Sequence, residues 1–181
     1  DTAHTTLGST VSLSELPTND QQKAPPTSVL GAHTSAGEIT DLPLNSPPDY
    51  QLNQLYRLIN THRQENRLSQ LRVSLALERS ARAKLNDMIK DNYWQHQNKA
   101  GLPTWQFLKD AGYQYQLAGE NLAFNHNSAW KTFEGWLHSP EHNAQMLHKD
   151  YDDMGAAVDC ISVRDKDGFS CVVVLHLGKS I

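Results

Sequence analysis

The sequence predicts an α+β domain beginning at residue 49, with helices layered against a small sheet, and three observations support this. Amphipathic stretches with helical spacing succeed one another after Pro47-Pro48, and the chain closes on two β-rich runs separated by a polar turn. All fourteen aromatic residues and both cysteines lie beyond residue 48, whereas residues 1–48 hold six of the eight prolines. Helices followed by a terminal hairpin fit an α+β or layered α/β/α domain and not a doubly wound parallel sheet.

The elements follow in order. Leu52, Leu55, Leu58, Ile59 and His62 recur at spacings of three and four and mark the buried stripe of a first helix. Ser74 is placed to cap a second, in which Leu77, Ala81, Leu85, Met88 and Ile89 form the buried face. A shorter helix follows Pro103, built on Trp105, Phe107 and Leu108 and ended at Gly112. Ser128 caps a fourth, with Trp130, Phe133 and Leu137 on one side and Trp136 widening it. Pro140 rules out a continuous helix through His138 and His142, because a proline in a helix interior loses a hydrogen bond and clashes with the preceding turn. Ser139 at the N-cap and Pro140 at the first helical position start a new turn instead.

Residues 1–48 lack the apolar side chains needed to offset conformational entropy and read as a disordered or extended tether ahead of a domain over 49–181. The whole formal net charge of −4 resides in this segment, so the domain is formally neutral. A neutral domain argues against a nucleic-acid partner, which requires a basic surplus or stripe. No apolar run is long enough to cross a bilayer. The chain opens on Asp1, which fits removal of a leader peptide as well as a shortened chain.

Cys160 and Cys171 flank Val163-Arg164-Asp165-Lys166-Asp167-Gly168, between the β-rich runs Gly155 to Val163 and Phe169 to Leu177. A hairpin closing symmetrically about Asp165 and Lys166 sets the two thiols opposite each other, in position for a disulfide formed in an oxidising compartment. Two buried thiols in a reducing compartment are the alternative.

His96, the run Gly119-Glu120-Asn121-Leu122-Ala123, and Ser139-Pro140-Glu141-His142 lie in separate segments that tertiary folding can bring to one polar cleft. Two imidazoles and a carboxylate can hold a divalent cation with a coordination position left open, or bind a polar ligand without metal. Plainer roles compete: a turn cap for Glu120, a main-chain bond for Asn121, helix capping for Ser139 and a structural hydrogen bond for His96 beside Trp94. His62, His126, His148 and His176 show no comparable pattern and read as surface or packing residues. No Gly-x-Ser-x-Gly elbow occurs to support a serine hydrolase.

The order of these features resembles the CAP superfamily, which groups cysteine-rich secretory proteins, venom antigens and plant pathogenesis-related proteins, and most of all its short bacterial SCP-like branch. The resembling segments are Leu55 to Arg63, Leu75 to Met88, His96, Gly119 to Ala123, Trp136 to Leu147 and the closing Gly155 to Gly178 hairpin. The resemblance implies a three-layer α/β/α sandwich with a small central antiparallel sheet. It also implies a cleft lined by two histidines and, in many eukaryotic members, two glutamates. His96, Glu120 and His142 match three of these positions, while Trp136-Leu137-His138-Ser139 places Ser139 where the second glutamate would stand.

Three functions follow as expectations. The first is a secreted, periplasmic or cell-envelope binding module whose cleft, lined by His96, Glu120, Ser139 and His142, accepts a small lipid, peptide or glycan. Zinc or another divalent cation held by His96 and His142 is an optional cofactor of that module. The second is a metal-assisted hydrolase with His96 and His142 as ligands and Glu120 as base or third ligand. The third is a structural envelope protein with a vestigial cleft.

Overall fold

The computed structural model describes residues 10–12, 50–162 and 169–181. The described residues form five helices and five strands, in the order β1 (Thr10–Ser12), α1 (Leu52–Glu65), β2 (Arg72–Val73), α2 (Leu75–Asp91), α3 (Trp105–Asp110), β3 (Tyr115–His126), α4 (Ala129–Leu137), α5 (Pro140–Met146), β4 (Asp153–Ser162) and β5 (Phe169–Ser180). The strands form one sheet in the order β1-β3-β5-β4-β2, antiparallel except where β2 joins β4 in parallel. Thr10–Ser12 pairs with Leu117–Gly119 within the stretch read as a tether, whose other residues through Asp49 fall outside the described ones.

Side-chain alternation on β5 separates the two faces of this sheet. Val173, Leu175 and Leu177 join Leu55, Ile59, Phe133, Trp136 and Met146, so α1, α4 and α5 cover one face. Val172 and Val174 pack with Ala81, Leu85 and Met88 of α2 on the other. There Leu77, Trp105, Leu108 and Ala118 tie α3 to the sheet edge. The architecture is the expected α/β/α sandwich.

The helix signals resolve as anticipated at α2, where the Ser74 hydroxyl accepts from Leu77 N and Leu77, Ala81, Leu85 and Met88 are buried. Gly112 lies beyond α3 with φ of +81°, a left-handed conformation that favours glycine. The α4 stripe is rotated from the expected one: Ala129, Thr132, Phe133 and Trp136 are buried, whereas Trp130 remains 48% exposed. Thr132 belongs in this line because its hydroxyl accepts from the Tyr50 phenol at 2.6 Å, while the Trp136 indole donates to Leu122 O at 3.0 Å. Gly155 is required by close packing, since a Cβ there would collide with the backbone of Leu77 and Glu78 at the start of α2.

Cys160 and Cys171 face each other across β4 and β5 and are joined as a disulfide. The turn expected at Asp165 and Lys166 lies outside the described residues.

Candidate functional site

Strand β3 positions the site. Ala118, Glu120 and Leu122 share the face covered by α2 and α3, and Asn121 points to the opposite face, covered by α4 and α5. His96 follows α2 on the first face, and His142 stands in the first turn of α5 on the second. The segments singled out in the sequence therefore approach β3 from its two sides.

Glu120 is fully buried and accepts three hydrogen bonds. His96 Nδ1 lies 2.6 Å from Oε1, while the Thr104 hydroxyl at 2.6 Å and His176 Nε2 at 3.0 Å share Oε2. A carboxylate only accepts, so each imidazole donates to it. His176 Nδ1 is then the acceptor for the Ser80 hydroxyl at 2.8 Å. Burial pushes the Glu120 carboxyl up, but the Lys84 ammonium and the bonds from His176 and His96 outweigh it and hold the group well below the usual carboxylate range. Glu120 is therefore an anion at neutral pH whose bonds are directed at its neighbours.

Lys84 supplies the counter-charge. It is fully buried, and its ammonium donates to Gln95 O at 2.8 Å, His96 O at 3.0 Å and the Tyr93 phenol at 3.3 Å. The Tyr93 phenol in turn donates to Asp87 at 2.5 Å. The same cation thus holds the backbone that carries His96 and neutralises the carboxylate that orients its ring.

On the other face, Asn121 donates from Nδ2 to His142 O at 3.0 Å and fixes the start of α5 against β3. Ser139 occupies the N-cap position without a side-chain capping bond. Its hydroxyl lies instead 2.8 Å from His142 Nδ1 and 3.3 Å from Glu141 Oε2. Burial, and next the charge of His96, lowers the His142 imidazole from its ordinary value, against the upward pull of Glu141.

Four buried side-chain atoms have no hydrogen-bond partner among the described residues, and three of them belong here: His96 Nε2, His142 Nε2 and Asn121 Oδ1. Buried polar atoms are nearly always satisfied, so such a group of three calls for a partner beyond the described residues. In the neutral ring, donation from Nδ1 to Glu120 leaves the lone pair of His96 at Nε2. Among the described residues no group of three or more His, Cys, Asp and Glu side chains is placed to hold a metal ion. Glu120, expected as base or third ligand, stands behind His96 with both oxygens engaged. A separate open groove of about 570 Å³, lined among others by Leu52, Leu75, Arg79 and Arg82, shares no residue with these histidines.

His176, read as a surface or packing residue, is a buried member of the Glu120 network. Its signal was a single polar residue within the apolar run from Val172 to Leu177. Lys84 and Ser80 fell on the buried side of α2, where charge and hydroxyl are out of place without partners.

The model of the cysteine-rich secretory protein family, CAP, matches residues 56–175. The uncharacterized protein YkwD of Bacillus subtilis is 30% identical over 102 residues, 56% of this chain and 40% of that protein. The uncharacterized membrane protein YlbC of the same organism is 31% identical over 106 residues, 59% of this chain and 31% of that one. The chain thus spans less than half the length of either relative. An SCP-domain extracellular protein of Bacillus anthracis superposes with a TM-score of 0.61 at 23% identity, covering 71% of this chain and 40% of the other. An outer surface protein of Borrelia burgdorferi does so with the same TM-score and identity, covering 72% and 92%.

Proposed function

This chain belongs to the cysteine-rich secretory protein (CAP) family, and we propose that it acts outside the cytoplasm as a binding module whose ligand engages His96 Nε2 and His142 Nε2. The observation that carries this reading is that His96 Nε2 and His142 Nε2 are both buried and without a hydrogen-bond partner among the described residues. An extracytoplasmic place is supported by the Cys160–Cys171 disulfide and by structural neighbours described as an extracellular and an outer surface protein.

The donor set suits zinc or another borderline divalent cation. Imidazole nitrogens are ordinary ligands of such ions, and the carboxylate behind His96 provides the outer-sphere support that metal-bound histidines use. Held by two imidazoles, a divalent cation would keep coordination positions open for donor atoms of a small lipid, peptide or glycan. Without a cation, the same atoms accept hydrogen bonds from hydroxyl or amino groups of a ligand, with Asn121 Oδ1 as a third acceptor.

Binding is favoured over hydrolysis because Glu120 is fully buried and committed to His96, Thr104 and His176. A general base must reach the proton it removes, and this carboxylate is occupied in orienting and neutralising its neighbours. A vestigial cleft is disfavoured because two unpaired buried nitrogens would persist at a cost in stability without use. Titration calorimetry of zinc into the full chain at neutral pH tests the proposal. Stoichiometric binding that disappears in the His96→Ala/His142→Ala variant is expected, and binding unchanged in that variant refutes the two-nitrogen site.

A further inference from the structure

We propose that Glu141 and Ser139 form a relay that sets the tautomer of His142, and that both are positioning residues for its Nε2. This inference rests on the binding reading for its purpose but not for its geometry.

One proton decides the tautomer. The Ser139 hydroxyl has a single hydrogen and two potential acceptors, His142 Nδ1 at 2.8 Å and Glu141 Oε2 at 3.3 Å. If the hydrogen goes to His142, Nδ1 is an acceptor, the ring proton sits on Nε2, and Nε2 has no lone pair for a cation or a donor group. If it goes to Glu141, Ser139 Oγ becomes the acceptor, His142 donates from Nδ1, and Nε2 is bare. A carboxylate accepts and never donates when ionised, and bonds to an ionised acceptor are roughly twice as strong as neutral ones. Glu141 therefore draws the serine proton away from the ring and selects the second arrangement.

The result parallels the opposite side of β3 by a different route. His96 is backed by Glu120 directly at 2.6 Å, whereas His142 is backed by Glu141 through one hydroxyl. The Ser139 side chain makes no capping bond to the α5 backbone, so its hydroxyl is free for the relay. Asn121, holding His142 O at 3.0 Å, fixes the backbone while leaving the ring orientation to Ser139. With the serine proton directed to Glu141, both rings donate from Nδ1 and both Nε2 atoms are bare.

The test is nitrogen-15 NMR of the imidazoles in the full chain, metal-free and at mildly alkaline pH, for the native sequence and for Glu141→Ala, Ser139→Ala and Ser139→Thr. The native chain is expected to show His142 with pyrrole-type Nδ1 and pyridine-type Nε2. Glu141→Ala should move His142 toward the Nε2–H form while leaving the His96 signals in place, and Ser139→Ala should lose the Nδ1–H preference. Ser139→Thr keeps the hydroxyl and should restore it. In parallel, zinc affinity should fall about ten-fold in Glu141→Ala, the size of an outer-shell loss. A native His142 already protonated at Nε2, or a tautomer indifferent to Glu141→Ala, overturns the relay. If the tautomer responds as stated but the native chain binds no zinc, the relay stands and the metal-assisted part of the binding reading falls.

Discussion

Replacing Lys84 by Met tests the buried network where the consequences are largest. Methionine keeps the length of the side chain and its apolar stem but removes the ammonium. Gln95 O and His96 O then lose a charged donor in a buried setting, and Glu120 loses the cation that does most to hold it ionised. An unsatisfied buried group costs about 1–3 kcal/mol, and removing one member of a buried charge pair costs about 3–5 kcal/mol. These penalties overlap, because water or a proton that relieves Glu120 also relaxes the segment around His96. The expected loss is therefore about 3–5 kcal/mol in all, or roughly 10–20 °C in Tm for a domain of this size. Urea unfolding followed by tryptophan fluorescence at pH 7 reads the loss. Pairing Lys84→Met with Glu120→Gln isolates its electrostatic part: the double variant should be less destabilised than the sum of the singles by about 1–3 kcal/mol. A Lys84→Met chain within about 1 kcal/mol of native stability, or strictly additive singles, refutes the account of Lys84 as the counter-charge.

Acid should destabilise the fold in two stages. Burial chiefly lowers His142, and also His126 and His148, from the ordinary value of 6.5, so the unfolded chain takes up more protons as pH falls below that point and stability declines. Glu120, held below its ordinary 4.5, contributes stability that is complete above that value and drains as pH falls toward its folded-state pKa. Urea melts at pH 7, 5 and 3 should show both stages, and Glu120→Gln should flatten the second. Gly155→Ala should cost about 1–3 kcal/mol by overpacking, measured by the same melts, because the α2 backbone at Leu77 and Glu78 occupies the space of the new methyl. Reduction of Cys160–Cys171 should cost at most about 3 kcal/mol for so short a loop, read by the same melts with and without reductant.

Helix α2 was legible because local signals agreed: a serine cap and apolar residues at helical spacing. The closing hairpin was legible for the same reason, its two β-rich runs, polar turn and flanking cysteines defining a register that β4 and β5 adopt. What escaped was decided by distant partners. A lysine on a helix usually reads as solvated, and only the folded chain brings Gln95, His96 and Tyr93 to Lys84. His176 lies 56 residues from Glu120 in sequence, so nothing local identified it as a hydrogen-bond donor to that carboxylate. Trp130 reads as core by hydrophobicity, yet Thr132 takes the buried place through its bond to Tyr50. Ser139 was placed correctly at an N-cap, but proximity to His142 and Glu141 redirects its hydroxyl. The parallel pairing of β2 with β4 joins segments too distant in sequence for a turn signal to exist.

Anomalous diffraction from crystals of the full chain soaked in zinc gives the most direct test that His96 and His142 form one site. The account predicts a zinc peak bonded to His96 Nε2 and His142 Nε2 at about 2.0–2.1 Å, with Glu120 still hydrogen-bonded to His96 Nδ1. Zinc bound to only one of these rings, or bound elsewhere while both remain without it, would contradict it.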